Sequence, residues 1–86
     1  MASYRVAITA SAEQALAALP KADRVRIARA IVALAAIPRP GGCRKLSGHD
    51  DVYRIRVGTF RVIYSIDDRR ITVVVIKLGH RKHVYR

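Results

Sequence analysis

Two periodicities divide this chain. Between Ser11 and Ile37 apolar residues recur at helical spacing; from Tyr53 onward they alternate with polar residues or run together, as strands do. Ahead of both, Tyr4-Arg5-Val6-Ala7-Ile8 alternates weakly and predicts a first strand. Ser11 with Gln14 three residues later resembles a capping box opening a short helix, with Ala12, Leu16 and Leu19 as its stripe and Pro20 closing it. A second helix is expected from about Lys21 to Ile37. Asp23 lies in its first turn, where the helix dipole favours negative charge; Ile27, Ile31 and Leu34 face the core, and Arg26 and Arg29 point away. Pro38-Arg39-Pro40-Gly41-Gly42 stops that helix and begins a loop lasting to about Asp51.

The segment Tyr53 to Tyr64 alternates apolar and basic residues on both sides of Gly58-Thr59, a pair suited to a two-residue hairpin turn. That turn puts Val57 opposite Phe60, Arg56 opposite Arg61, Ile55 opposite Val62 and Tyr53 opposite Tyr64. Arg54, Arg56 and Arg61 then share one face, with the apolar residues on the other. Like charges directly opposed destabilise a sheet, so three gathered arginines point to a surface that holds an anion. After an Asp67-Asp68-Arg69-Arg70 turn, a strand from Ile71 to Leu78 is apolar on both faces, as expected well inside a sheet. A basic tail, Gly79 to Arg86, follows. The order β-α-α-β-β-β predicts an α+β domain. A helical hairpin packs on one face of a small, mainly antiparallel sheet, and the arginine face is partly open.

Length and charge narrow the class. Eighty-six residues are expected to form a single domain, 1–86, with modest stability alone. The formal net charge of +11 and pI near 11.1 favour a polyanionic partner, the plainer reading being a solvated basic surface. The excess leans to the second part, with 6 basic and 2 acidic residues up to Gly42 and 11 and 4 after it. Cys43 stands alone, which excludes an internal disulfide and fits a cytoplasmic home; it reads as a bystander thiol. The longest apolar runs, Ala30 to Ile37 and Ile71 to Ile76, are far shorter than the roughly 20 residues a membrane helix needs. No membrane association or signal peptide is expected.

Much chemistry is excluded. No phosphate-binding glycine loop, dinucleotide fingerprint, nucleophile elbow or zinc-ligand pattern occurs, and no metal or cofactor is expected. His80 and His83 lack a carboxylate or thiolate nearby in sequence, and Glu13 is the only glutamate. What remains suits RNA cleavage without metal, in which a ribose 2′-hydroxyl attacks its own phosphodiester. Arginine forks bind phosphate bidentately and stabilise developing negative charge, but arginine does not readily give up its proton. Proton transfer then falls to Tyr85, His80 or His83; the competing reading of Tyr85 is a ring that packs the tail on the sheet.

The chain resembles the RelE/ParE family of bacterial toxins, particularly the RelE branch of ribosome-dependent mRNA endonucleases. The resemblance covers nearly its whole length. It is carried by Lys45-Leu46-Ser47-Gly48, by Tyr53 through Tyr64, and by Gly79-His80-Arg81 with Val84-Tyr85. It implies a toxin neutralised by a cognate antitoxin in a hetero-oligomer, which when freed cuts mRNA in the ribosomal A site. It also implies site residues: Arg61 and Arg81 as phosphate and transition-state ligands, Tyr85 as general base or base-stacking group, and Lys45, Arg54 and Arg56 as RNA-phosphate ligands. His80 and His83 are accessory acid–base candidates. Two departures matter. Positions 54 and 56 often carry lysine in relatives, and the glutamate–histidine pair of other relatives has no counterpart here. With one residue following Tyr85, the longer C-terminal helix of some members is not expected here.

Two other functions share these features. A ParE-like inhibitor of DNA gyrase has the same fold and cleaves nothing. A noncatalytic RNA-binding module would use the same cations for salt-dependent affinity and the tyrosines for base stacking.

Overall fold

The computed structural model describes residues 3–80. Strand β1 (Arg5–Ile8) is followed by helices α1 (Ala10–Ala17) and α2 (Lys21–Ala33), then by strands β2 (Arg44–Lys45), β3 (Val52–Val57), β4 (Phe60–Asp67) and β5 (Thr72–His80). The strands form one sheet in the order β1-β5-β4-β3-β2. β1 runs parallel to β5, and every other pairing is antiparallel. The expected α+β arrangement is therefore present. Ile27, Ile31 and Leu34 of the second helical segment pack with Ile55, Val62, Tyr64, Ile66, Val73, Val75 and Leu78, all from one side of the sheet. The opposite side of the sheet faces away from the helices.

Four expectations are corrected. Thr9, not Ser11, caps α1: its hydroxyl accepts the Ala12 N–H at 3.2 Å, and Ser11 lies inside the helix. Either residue type can cap a helix, but β1 ends at Ile8, so the chain turns at Thr9. α2 ends at Ala33, four residues early, because Pro38 disfavours helical backbone at Ile37 and the chain unwinds through turns before it. The expected loop contains β2, an edge strand of two residues between Gly42 (φ 87°) and Gly48 (φ 79°). The last strand runs on to His80.

A polar clasp ties the ends of the sheet to the segment after α2. Arg39 donates to both carboxylate oxygens of Asp68, at 2.9 and 3.3 Å, and through Nε to the Tyr53 hydroxyl at 3.1 Å. Its guanidinium also lies 5.1 Å from the Tyr53 ring centre. The Tyr4 hydroxyl donates to Asp68 at 2.7 Å. Tyr53 stacks on Tyr64, which is fully buried and donates its hydroxyl to the Pro38 carbonyl at 2.8 Å. Burial pushes the Tyr64 phenol well above its ordinary range. These contacts fix β3, and with it one half of the arginine hairpin.

Candidate functional site

The predicted hairpin register is realised residue for residue: Val57 faces Phe60, Arg56 faces Arg61, Ile55 faces Val62 and Tyr53 faces Tyr64. Gly58 opens the turn at φ 63°, in the left-handed region that favours glycine. A side chain there would also meet the Arg26 guanidinium at 3.0 Å. Because paired residues point to the same side, Arg54, Arg56 and Arg61 all project from the face away from the helices. Ile63 and Val74 lie on that face too, as the register of β4 and β5 requires.

Arg54 is the one buried charged residue among the described residues, 6% exposed. It lines an open cavity of about 490 Å³ together with Gly41, Gly42, Cys43, Arg44 and Arg56. The ion pairs between described residues join Arg26 to Asp23, Arg39 to Asp68 and Arg70 to Asp67. None reaches Arg54. Taking a guanidinium out of water without a carboxylate is costly, and the cost is recovered when an anion enters. In such a partly dry site each charge–phosphate contact is stronger than in bulk water.

The other anticipated residues are distributed less evenly. Arg44 pairs with Arg54 and so shares its face, whereas Lys45 pairs with Tyr53 and points to the helix side. The structure therefore separates Lys45 from the arginines and puts its neighbour among them. His80 pairs with Phe60, and the two rings meet edge to face with centres 5.9 Å apart, again on the helix side. Arg81, His83 and Tyr85 lie outside the described residues. Sequence reasoning missed two cations on the arginine face, Arg44 and Lys77. Arg44 was detectable only by recognising an edge strand of two residues; Lys77 pairs with Ile63 and carried no signal in the alternation.

Comparison with known proteins identifies the family of this fold. Residues 6–85 match the family model of the ParE toxin of type II toxin–antitoxin systems, parDE. Toxin RelG of Mycobacterium tuberculosis is 42% identical over 43 residues, a match covering 50% of this chain and 46% of that protein. The matched segment thus spans about half the length of that relative. Among solved structures, the RelE–RelB complex of Pyrococcus horikoshii superposes with a TM-score of 0.84 at 34% identity, covering 95% of this chain and 99% of that one. The toxin–antitoxin complex RelBE2 of Mycobacterium tuberculosis gives 0.82 at 29% identity, covering 94% of each chain. The family-model match over residues 6–85, with a superposition covering 95% of the chain, makes it a member of the RelE/ParE family of type II toxin–antitoxin toxins.

Proposed function

We propose that this toxin is a metal-independent, ribosome-dependent mRNA endonuclease, held inactive by a cognate antitoxin. The observation that carries the reading is the buried Arg54 guanidinium, beside the opposed pair Arg56 and Arg61 and outside every ion pair between the described residues. The chemistry follows from that charge. The ribose 2′-oxygen bonds to phosphorus and loses its proton to a base, the 5′-oxygen departs with the bonding electrons and takes up a proton, and a cyclic phosphate is left. Negative charge grows on the phosphoryl oxygens throughout. Fixed guanidinium donors that surround those oxygens stabilise the transition state more than the ground state. Arginine keeps its proton, so the base and acid lie elsewhere; Tyr85, with His83, is the assignment we make. Orientation of the message by the ribosome supplies the alignment that so sparse a site does not provide alone.

The antitoxin assignment rests on relatives solved in complex with RelB. Charge complementarity sets its character: an acidic, amphipathic segment whose carboxylates meet the arginines and whose apolar residues cover Val74, the expected partner surface at Ile63 being already buried within the chain.

Primer extension on a translated message with purified toxin tests the enzyme reading. Wild type is expected to give ribosome-dependent cuts, and Arg61→Ala is expected to lower their rate by about 100-fold or more. Uncut message, or equal cutting by Arg61→Ala, overturns it. A second reading, inhibition of DNA gyrase without cleavage, is favoured by the ParE description of the matching family model. A supercoiling assay separates the two.

A further inference from the structure

Strict alternation along β5 would place Val73, Val75 and Lys77 on one face, the core face. The first two are indeed fully buried. The ladder to β4 then slips: Tyr64 pairs with Val75, Ile63 pairs with Lys77, and Ile76 is left as an extra residue. One inserted residue exchanges the faces of everything after it. Leu78 now fills the core, 5% exposed, while Lys77 and Gly79 join the rows of Ile63 and Arg61 on the arginine face. Ile76 itself is left 37% exposed.

The bulge is held in place from outside the strand. The Thr9 hydroxyl, which caps α1, donates to the Ile76 carbonyl at 2.8 Å. Its outcome is positional. Lys77, Ile63, Arg54 and Arg44 form one row across four strands, and Arg61 and Arg56 lie in a neighbouring row. With strands about 4.8 Å apart, Lys77 stands about 10 Å from Arg54 along its row. It lies diagonally about 7–8 Å from Arg61. Arg61 is therefore flanked by Arg56 on one side and Lys77 on the other.

We infer that Lys77, delivered to this face by the bulge at Ile76, is a further RNA-binding residue of the site, holding a backbone phosphate adjacent to the one at Arg61. The inference rests on the RNA-cleavage reading above. A lysine is a compact point charge with freely rotating donors, suited to positioning a backbone phosphate rather than clamping a reacting one in a plane. Loss of the contact should therefore weaken binding of the message while the bound complex reacts at an unchanged rate.

Single-turnover primer extension with the full chain on a translated message, titrated with toxin, tests this, alongside anisotropy with a labelled single-stranded RNA at several salt concentrations. Lys77→Gln is expected to raise the half-saturating toxin concentration about tenfold, to leave the plateau rate unchanged, and to reduce the slope of log affinity against log salt by about 0.7. Lys77→Arg should restore most of the affinity. Arg29→Gln removes the same charge from the exposed side of α2 and should behave as wild type. Lys77→Gln and Arg29→Gln with the same half-saturation and salt slope overturn the inference. So does failure of Lys77→Arg to restore binding while its circular dichroism matches wild type. A wild-type chain that cuts no translated message overturns the parent reading itself.

Discussion

The hydroxyl of Thr9 joins two elements across 67 residues of sequence, accepting the Ala12 N–H to cap α1 and donating to the carbonyl of Ile76 at the bulge of β5. Loss of a cap costs about 1 kcal/mol and loss of a net hydrogen bond about as much. Thr9→Val is therefore expected to lower unfolding stability by about 1–2 kcal/mol in urea titrations, with Thr9→Ser near wild type. Thr9→Asp keeps the cap but turns a carboxylate towards the Ile76 carbonyl. It should leave α1 protected while amide exchange at Ile76 and Lys77 speeds up. Unchanged exchange there would show that the bulge holds without Thr9.

Arg56 and Arg61 oppose each other directly across the hairpin. Replacing one of two opposed like charges in a strand should stabilise the fold, so Arg56→Thr is expected to gain about 0.2–1 kcal/mol at low salt. Added salt screens the repulsion and should narrow the gain. The same variant should cut message more slowly. A stability gain without a loss of cutting would separate this pair from the reaction.

The edge strand yields a paired test. Arg44 shares a face with Arg54, and its neighbour Lys45 shares one with Tyr53. Both carry one charge and both are exposed. Arg44→Gln is expected to weaken RNA binding and reduce its salt dependence, and Lys45→Gln to change both much less. The reverse result would mean that the message approaches over the helix side.

Asp68 makes folding sensitive to acid. Hydrogen bonds from Arg39, then from the Tyr4 hydroxyl, hold its carboxyl below the ordinary value of 3.8. A carboxyl depressed in the folded state binds its proton more readily when unfolded. Its stabilising contribution is thus complete well above 3.8 and is lost as the pH falls through the folded value. Urea titrations of wild type and Asp68→Asn should differ at neutral pH and converge as the pH falls through the folded value of the Asp68 carboxyl. A difference independent of pH would place the effect in packing instead.

The parts of this molecule legible in its sequence are those governed by local rules. Gly58-Thr59 specifies a two-residue turn, the turn specifies the register, and the register puts Arg54, Arg56 and Arg61 together. Ile27, Ile31 and Leu34 reach the core because helical spacing leaves them nowhere else to go. What escaped depended on contacts distant in sequence. Lys77 changes face only because an extra residue is accommodated at Ile76, and Thr9 reaches that carbonyl from the other end of the chain. His80 reads as a candidate acid–base group, yet pairing with Phe60 turns it to the helix side. Arg44 and Lys45 look alike until β3 gives them opposite directions.

The placement of β5 also sets the order in which the molecule can be completed. This strand lies between β1 and β4, pairs in parallel with the first strand made, and supports α1. Until β5 is available, β1 lacks its partner in the sheet, and the row that joins Lys77 to Arg54 does not exist. Contacts so distant in sequence are slow to form, since the loop between them must close before they contribute. The β3–β4–β5 meander, whose strands are neighbours in sequence, can therefore carry the basic face before β1 docks along β5.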